Sequence, residues 1–260
     1  MTVITSRHHP LVKQFRELAR GGGAVMLLDG WHLITEAVNA GLAFDTLAVC
    51  GPVTEAEQTV IDRAGRSGAQ VFEVSGAVLN AISPVNSPTG VVASAHKPVI
   101  STDGLVSPAP ALVLAGMGIQ DPGNVGAVVR SAAAAGATGV LLDESTADPW
   151  GWKALRASMG SVFHVPVIRT RTPMPTIDAW RATGLRVMAA VPRDGVPMAA
   201  ADLTQPVVIA VGGEGPGLSA ELLDRADARI SIPMQRGVES LNVAVAAALI
   251  LYEAQRQRAR

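Results

Sequence analysis

The sequence predicts an α/β protein of two domains, and three observations carry that expectation. Short apolar runs rich in β-branched residues alternate with helix-like segments along nearly the whole chain. A Pro-, Gly- and Ser-containing stretch at residues 97–110 interrupts the alternation. Beyond it the apolar runs are almost continuous, as in parallel strands covered on both faces, and two of them lead into side-chain-poor loops. At 260 residues the chain is also longer than a usual single domain. The expected division is residues 1–96, a linker at 97–110, and residues 111–260.

In chain order, residues 6–20 carry Arg7, Lys13, Arg16 and Arg20 against Glu17 alone. They form either a solvated helix face or an arm that contacts phosphates. Strands are expected at 25–28, 46–49, 71–74 and 90–94, with helices at 31–39, 54–66 and 77–82 between them. After the linker come strands at 111–115, 140–142, 165–168, 185–191, 207–211 and 228–232. Helices are expected at 124–135, 153–159, 176–182 and 219–225, and from 243 to the end. Ligands of such sheets sit beyond the carboxyl ends of the strands. Both glycine clusters fall there.

Bulk properties remove several function classes. A net charge of −1 gives no global attraction for nucleic acid, so an RNA partner requires a local basic surface. Aromatics make up 3% of the chain, too few for a module that stacks single-stranded bases. Cys50 stands alone, which excludes a disulfide framework and a multi-thiolate metal site and fits a reducing compartment. The five histidines have no metal spacing. Residues 1–6 are too short and polar for a signal core, and the longest apolar run, Val243 to Leu251, is about half of what a membrane span needs. A cytoplasmic protein without metal or membrane partner is expected.

The first glycine cluster, Gly116-Met117-Gly118-Ile119-Gln120-Asp121-Pro122-Gly123-Asn124-Val125-Gly126, precedes a helix bearing Arg130. The second is Gly212-Gly213-Glu214-Gly215-Pro216-Gly217. Neither has dinucleotide-fingerprint spacing, and neither is followed by the Gly-Lys-Ser/Thr of a phosphate loop, which disfavours a nicotinamide oxidoreductase. Asn124 reads as a helix cap or as a site residue. It lies six positions from Arg130, about 240° of helical rotation. Glu214 is either a solvated loop carboxylate or an anchor for an arginine. Ser240 and Asn242 serve as caps or as site residues, and Arg256, Arg258 and Arg260 complement the dipole of the last helix.

Three motifs in order give the chain a resemblance. Asn124-Val125-Gly126-Ala127-Val128-Val129-Arg130, Gly212-Gly213-Glu214-Gly215-Pro216-Gly217-Leu218, and the run from Ile232-Pro233-Met234 through Val238-Glu239-Ser240-Leu241-Asn242-Val243-Ala244-Val245-Ala246 resemble those of the SpoU/TrmH branch of the SPOUT RNA methyltransferases. Arg156-Ala157-Ser158-Met159-Gly160 lies between them, as in many relatives. The N-terminal part, with Leu28-Asp29-Gly30-Trp31-His32-Leu33 and Thr89-Gly90-Val91-Val92-Ala93, is similar to the L30e-like substrate-binding domain. The resemblance implies S-adenosylmethionine-dependent 2′-O-methylation of an RNA ribose, ribosomal RNA favoured over transfer RNA, by a homodimer with a deep trefoil knot in its parallel-sheet domain. It implies catalytic roles for Arg130, Asn124, Glu214, Ser240 and Asn242. Cofactor contacts fall at Gly212, Ile232 and Leu241, with Ala189 and Ala190 contributing. RNA contacts are expected from Arg7, Lys13, Arg16 and Arg156. The dimer is expected to use a face of the last helix with Val243, Ala246, Ala247, Ile250 and Leu251. A non-catalytic RNA- or ribosome-binding protein on the same fold is the alternative, disfavoured by the complete set of site residues.

Overall fold

The structure is a computed structural model that describes residues 3–259; Met1, Thr2 and Arg260, the last of the arginines assigned to the helix dipole, lie outside it. Helix α1 is Pro10–Ala19, followed by β1 Val25–Asp29, α2 Trp31–Asn39, β2 Phe44–Val49, α3 Glu55–Arg66, β3 Gln70–Glu73, α4 Gly76–Ile82 and β4 Val91–His96. Then come β5 Leu112–Met117, α5 Pro122–Ala134, β6 Gly139–Asp143, α6 Trp152–Ser158, β7 Val167–Thr170, α7 Pro173–Ala182 and β8 Arg186–Ala190. The chain ends with β9 Val196–Pro197, β10 Val207–Gly212, α8 Ala220–Arg225, β11 Ala228–Ser231 and α9 Val243–Arg258.

Local chemistry sets several boundaries. Helix α1 starts at Pro10, whose fixed φ suits the first position, and the His9 ring accepts from the Leu11 amide at 3.3 Å. Thr54 and Glu57 form a capping box on α3, their side chains accepting from each other's backbone amides at 3.3 and 2.7 Å. The expected helix at 124–135 begins instead at Pro122, because Asp121 is the cap and accepts from the Asn124 amide at 2.8 Å. Strand β7 lies two residues beyond the expected 165–168, as Val140 pairs with Val167.

Packing divides the chain into two compact units. The first comprises the residues up to Val99 together with Trp150–Phe163. Its sheet has the order β1-β4-β2-β3, with β4 antiparallel to both neighbours and β2 parallel to β3. Leu11, Phe15, Val78, Leu79 and Ile82 form part of its core, and Trp152 packs against them. Segment 150–163, assigned from sequence to the second domain, thus belongs by its contacts to the first unit. The His32 ring meets the Met159 carbonyl at 3.2 Å, and a Cβ on Gly160 would crowd the Glu36 side chain.

The second unit holds Ile100–Pro149 and the residues from His164 onward. Seven parallel strands run in the order β7-β6-β5-β10-β8-β11-β9. Part of the expected linker is built into this unit. Leu105 is fully buried in its core, and its carbonyl accepts from the Thr138 hydroxyl at 2.6 Å. Helix α9 packs along α5. Of the face expected to serve the dimer, Val243, Ala247, Ile250 and Leu251 are buried in their own domain, so this face is unavailable to a second copy. Val245, Leu249 and Tyr252 are the exposed apolar residues of α9.

Candidate active site

The central strand β10 ends at Gly212, where the backbone folds back so tightly that a Cβ would overlap Gly217 and Leu218. A Cβ on Gly213 would overlap the Gly118 carbonyl, and the Gly213 amide donates to the Met117 carbonyl at 2.7 Å. Side chains are excluded at both positions by close backbone approach. The glycine loops after β5 and β10 are therefore in direct contact.

Beyond the ends of β8, β10 and β11 lies a cavity of about 410 Å³. Ala190, Gly212, Ile232 and Leu241 line it, as do Glu214 and Ser240. Ala189 does not; it is fully buried inside β8, paired with Ala210 and Arg229. Most of the wall is backbone and aliphatic carbon, so polar recognition comes from main-chain groups and a few side chains.

A polar bridge runs along one side. The Asn124 Nδ2 donates to Glu214 Oε1 at 3.0 Å, and its Oδ1 accepts from Asn242 Nδ2 at 3.0 Å. Asn242 Oδ1 caps α9, accepting from the amides of Ala244 at 2.9 Å and Val245 at 3.3 Å. Asn242 is thus both cap and bridge, whereas Asn124, in the first turn of α5, is not the cap. Glu214 engages an asparagine instead of an arginine. Residues 90 and 118 positions apart meet here.

Arg130 is not drawn into this bridge. It is exposed and makes no hydrogen bond or ion pair among the described residues. Both Asn124 and Arg130 lie inside α5, so the rotation of about 240° between them keeps their side chains apart.

Sequence reasoning overlooked Asp143, Ser145 and Thr146. Asp143 Oδ1 accepts from the amides of Gly118 at 2.9 Å and Thr146 at 3.0 Å and from the Thr146 hydroxyl at 2.5 Å; Oδ2 accepts from the Ser145 hydroxyl. Burial alone would raise its pKa, but these hydrogen bonds outweigh burial and hold it below the usual carboxylate value. The available signal was an Asp-x-Ser-Thr run at the end of an expected strand.

The candidate RNA contacts all fall in the first unit. Arg7 and Arg16 donate through Nε to the Ala77 and Ala81 carbonyls at 3.2 and 3.3 Å, and Lys13 stands 4.0 Å from Glu17. Arg156 is exposed on α6 and acts electrostatically on Asp29. Burial raises the Asp29 pKa, opposed by the Ser83 hydroxyl at 2.6 Å and by Arg156. Among the described residues no cluster of His, Cys, Asp or Glu is placed to hold a metal, and no helix is long and apolar enough to cross a membrane.

A wholly parallel sheet, an aliphatic cavity at its strand ends and a polar bridge beside it define the class, an α/β enzyme acting with a bound small molecule. Residues 111–252 match the SpoU rRNA Methylase family, and residues 10–93 match the MRM3-like substrate binding domain. RlmP of Bacillus subtilis, a 23S rRNA (guanosine(2553)-2'-O)-methyltransferase, is 32% identical over 97% of this chain and 98% of its own. An uncharacterized tRNA/rRNA methyltransferase of Synechocystis is 34% identical over 98% of this chain and 94% of its own. Among solved structures, the AdoMet-bound rRNA methyltransferase of Sinorhizobium meliloti superposes with a TM-score of 0.89 at 31% identity, covering 98% of this chain and 97% of that one. The chain belongs to the SpoU rRNA methylase family.

Proposed function

We propose that this chain transfers the methyl group of S-adenosylmethionine to a ribose 2′-hydroxyl in ribosomal RNA. Family membership and the names of RlmP and of the Sinorhizobium enzyme support the reaction and favour the ribosomal substrate. The observation that carries the reading is the cavity with its Glu214–Asn124–Asn242 bridge. About 410 Å³ lies within the range of small-molecule pockets. The glycine backbone offers amides and carbonyls to a purine edge, while Ile232, Leu241 and Val243 offer aliphatic contact to its faces.

S-adenosylmethionine supplies an electrophilic methyl group on a sulfonium. In this reading Gly212, Ile232 and Leu241 hold the cofactor through their backbone, with Ala190 at the strand end and Ala189 fixing its register. Arg130 is exposed and has no partner among the described residues, which suits its guanidinium to grip an RNA phosphate and stabilise negative charge growing on the 2′-oxygen. The proton leaves to water or to that phosphate. Glu214 fixes the amide orientation of Asn124, and Asn242 ties the pair to the N-terminus of α9, two residues from Ser240. Arg7, Lys13, Arg16 and Arg156 offer cations to the RNA backbone.

The same reading includes a homodimer, a trefoil knot and a cytoplasmic location. Val245, Leu249 and Tyr252, spaced four and three residues apart on α9, supply an exposed apolar stripe for a second copy. Insertion of β10 between β5 and β8, and the backbone contact of Gly213 with Gly118, support the knot. Sedimentation at micromolar concentration should give a dimer, and Leu249→Glu a monomer; a monomeric wild type would rule the dimer out.

The deciding experiment supplies labelled S-adenosylmethionine with ribosomal RNA from cells lacking the gene. Wild-type protein should methylate one ribose, and Arg130→Ala should lower the single-turnover rate by about 100-fold. Arg130→Lys should recover little, because an ammonium does not reproduce a two-pronged phosphate grip. A wild-type rate in Arg130→Ala would remove Arg130 from the chemistry. Labelling confined to transfer RNA would overturn the substrate assignment, and no labelling of any RNA would favour the non-catalytic binding protein.

A further inference from the structure

The hydrogen-bond partners of Asp143, namely Gly118, Ser145 and Thr146, do not line the cavity, yet the loop after β5, which packs against the glycine loop of the site, is held by it. It closes β6 beside β5, in the register Gly116↔Leu142. Its Oδ1 takes the Gly118 amide at 2.9 Å and the Thr146 hydroxyl at 2.5 Å. The oxygen of that hydroxyl in turn accepts from the Ile119 amide at 3.1 Å, and the Ala147 amide donates to the Ile119 carbonyl at 2.9 Å. Thr146 is fully buried. Two successive amides of the loop after β5 are thereby held by one carboxylate and one hydroxyl.

That loop has two outlets into the site. Gly213 lies against the Gly118 carbonyl and donates to the Met117 carbonyl at 2.7 Å, so the path of 117–119 sets where Gly213 and its neighbour Glu214 stand. Downstream, the same loop reaches Asp121, which caps α5 and places Asn124. Glu214 and Asn124 then meet at 3.0 Å.

We propose that Asp143, acting through Thr146, is a positioning residue of the methyltransferase site: it staples loop 117–119 and so sets both the cofactor loop at Gly212–Glu214 and the Asn124–Glu214 contact. The inference rests on the cofactor reading above for its affinity measurement, but not for its hydrogen-exchange measurement. A solvent-facing carboxylate that merely ended a strand would need none of these bonds. A buried threonine donating to the acid while accepting from the loop makes the staple directional.

The test uses the full chain with Thr146→Val, nearly equal in volume but unable to accept from Ile119, and Thr146→Ser, which keeps the hydroxyl. Asp143→Asn is a second probe, since an amide keeps the Oδ1 acceptor without its charge. In Thr146→Val the Gly118, Ile119 and Gly213 amides should exchange about tenfold faster, and the dissociation constant for S-adenosylmethionine, read by calorimetry on folded protein, should rise about tenfold. Thr146→Ser should restore both, and Asp143→Asn should fall between. A role confined to stability would lower the melting temperature of Thr146→Val while leaving Gly213 exchange and cofactor affinity within twofold of wild type, and that result overturns the proposal. If wild-type protein does not bind the cofactor, the functional reading fails, while Gly213 exchange still decides the staple.

Discussion

Asn124 uses both polar atoms of its side chain on neighbours far away in sequence, giving Nδ2 to Glu214 and receiving Asn242 at Oδ1, each at 3.0 Å. Asn124→Asp replaces the donor by an oxygen facing the Glu214 carboxylate. The lost hydrogen bond and the like-charge contact should lower methyl transfer at neutral pH by about 100-fold, with the melting temperature little changed because the pair is solvent-facing. Repulsion raises the pKa of a carboxylate pair, so the variant should regain activity as the pH falls and one proton is taken up. Single-turnover rates across pH check this, and a wild-type rate at pH 7 would refute it. That Asn124 does not cap α5 was not legible in the sequence, because it depended on Asp121 three positions earlier taking the cap.

At the scale of elements, the end of α9 shows how a correct local inference understates a role. Arg256 pairs with Glu253 at 2.6 Å, in keeping with a solvated last turn. Arg258 does more, donating to four carbonyls: Leu203 at 2.9 Å, Pro110 at 2.8 Å, Ala111 at 2.9 Å and Gln205 at 2.7 Å. Burial lowers its pKa, and the four carbonyls take the place of the water that burial removes. The clamp joins the start of β5 to the loop before β10 and to the helix that follows the site. Arg258→Ala should therefore cost the second unit about 2 kcal/mol, and Arg258→Lys should recover only part, since an ammonium cannot span four acceptors. Denaturant melts measure this; an unchanged midpoint for Arg258→Ala would show the clamp to be idle. Its partners lie 53 to 148 positions away, beyond any helix-period or capping pattern.

For the whole molecule, the two units should respond to acid with opposite sign. In the second unit, burial would raise the pKa values of Asp143 and Asp227, but hydrogen bonds outweigh it and hold both below the ordinary 3.8. Asp227 accepts from the Val187 amide at 2.7 Å and from Arg181 at 3.0 Å. Their stabilisation is complete above the unfolded value and is lost as the pH falls below about 3.8 through the folded values. In the first unit, burial holds the Asp29 pKa above 3.8, so the folded state binds that proton more tightly and gains stability as the pH falls through the raised value. Hydrogen exchange followed from pH 6 to about pH 3 should show the second unit loosening first, and Asp143→Asn should flatten its slope. Simultaneous loss in both units would contradict this. The sequence alone determined the α/β class, the strand-helix alternation, the family motifs and the glycine-lined strand ends, because these are local patterns of period, size and turn chemistry. It did not determine the docking of 150–163 on the first unit, the burial of the α9 face expected to dimerise, the Asn124 bridge or the Asp143 staple. Each of these depends on residues tens to more than a hundred positions apart coming within hydrogen-bond or packing distance, a condition that only the folded chain fulfils.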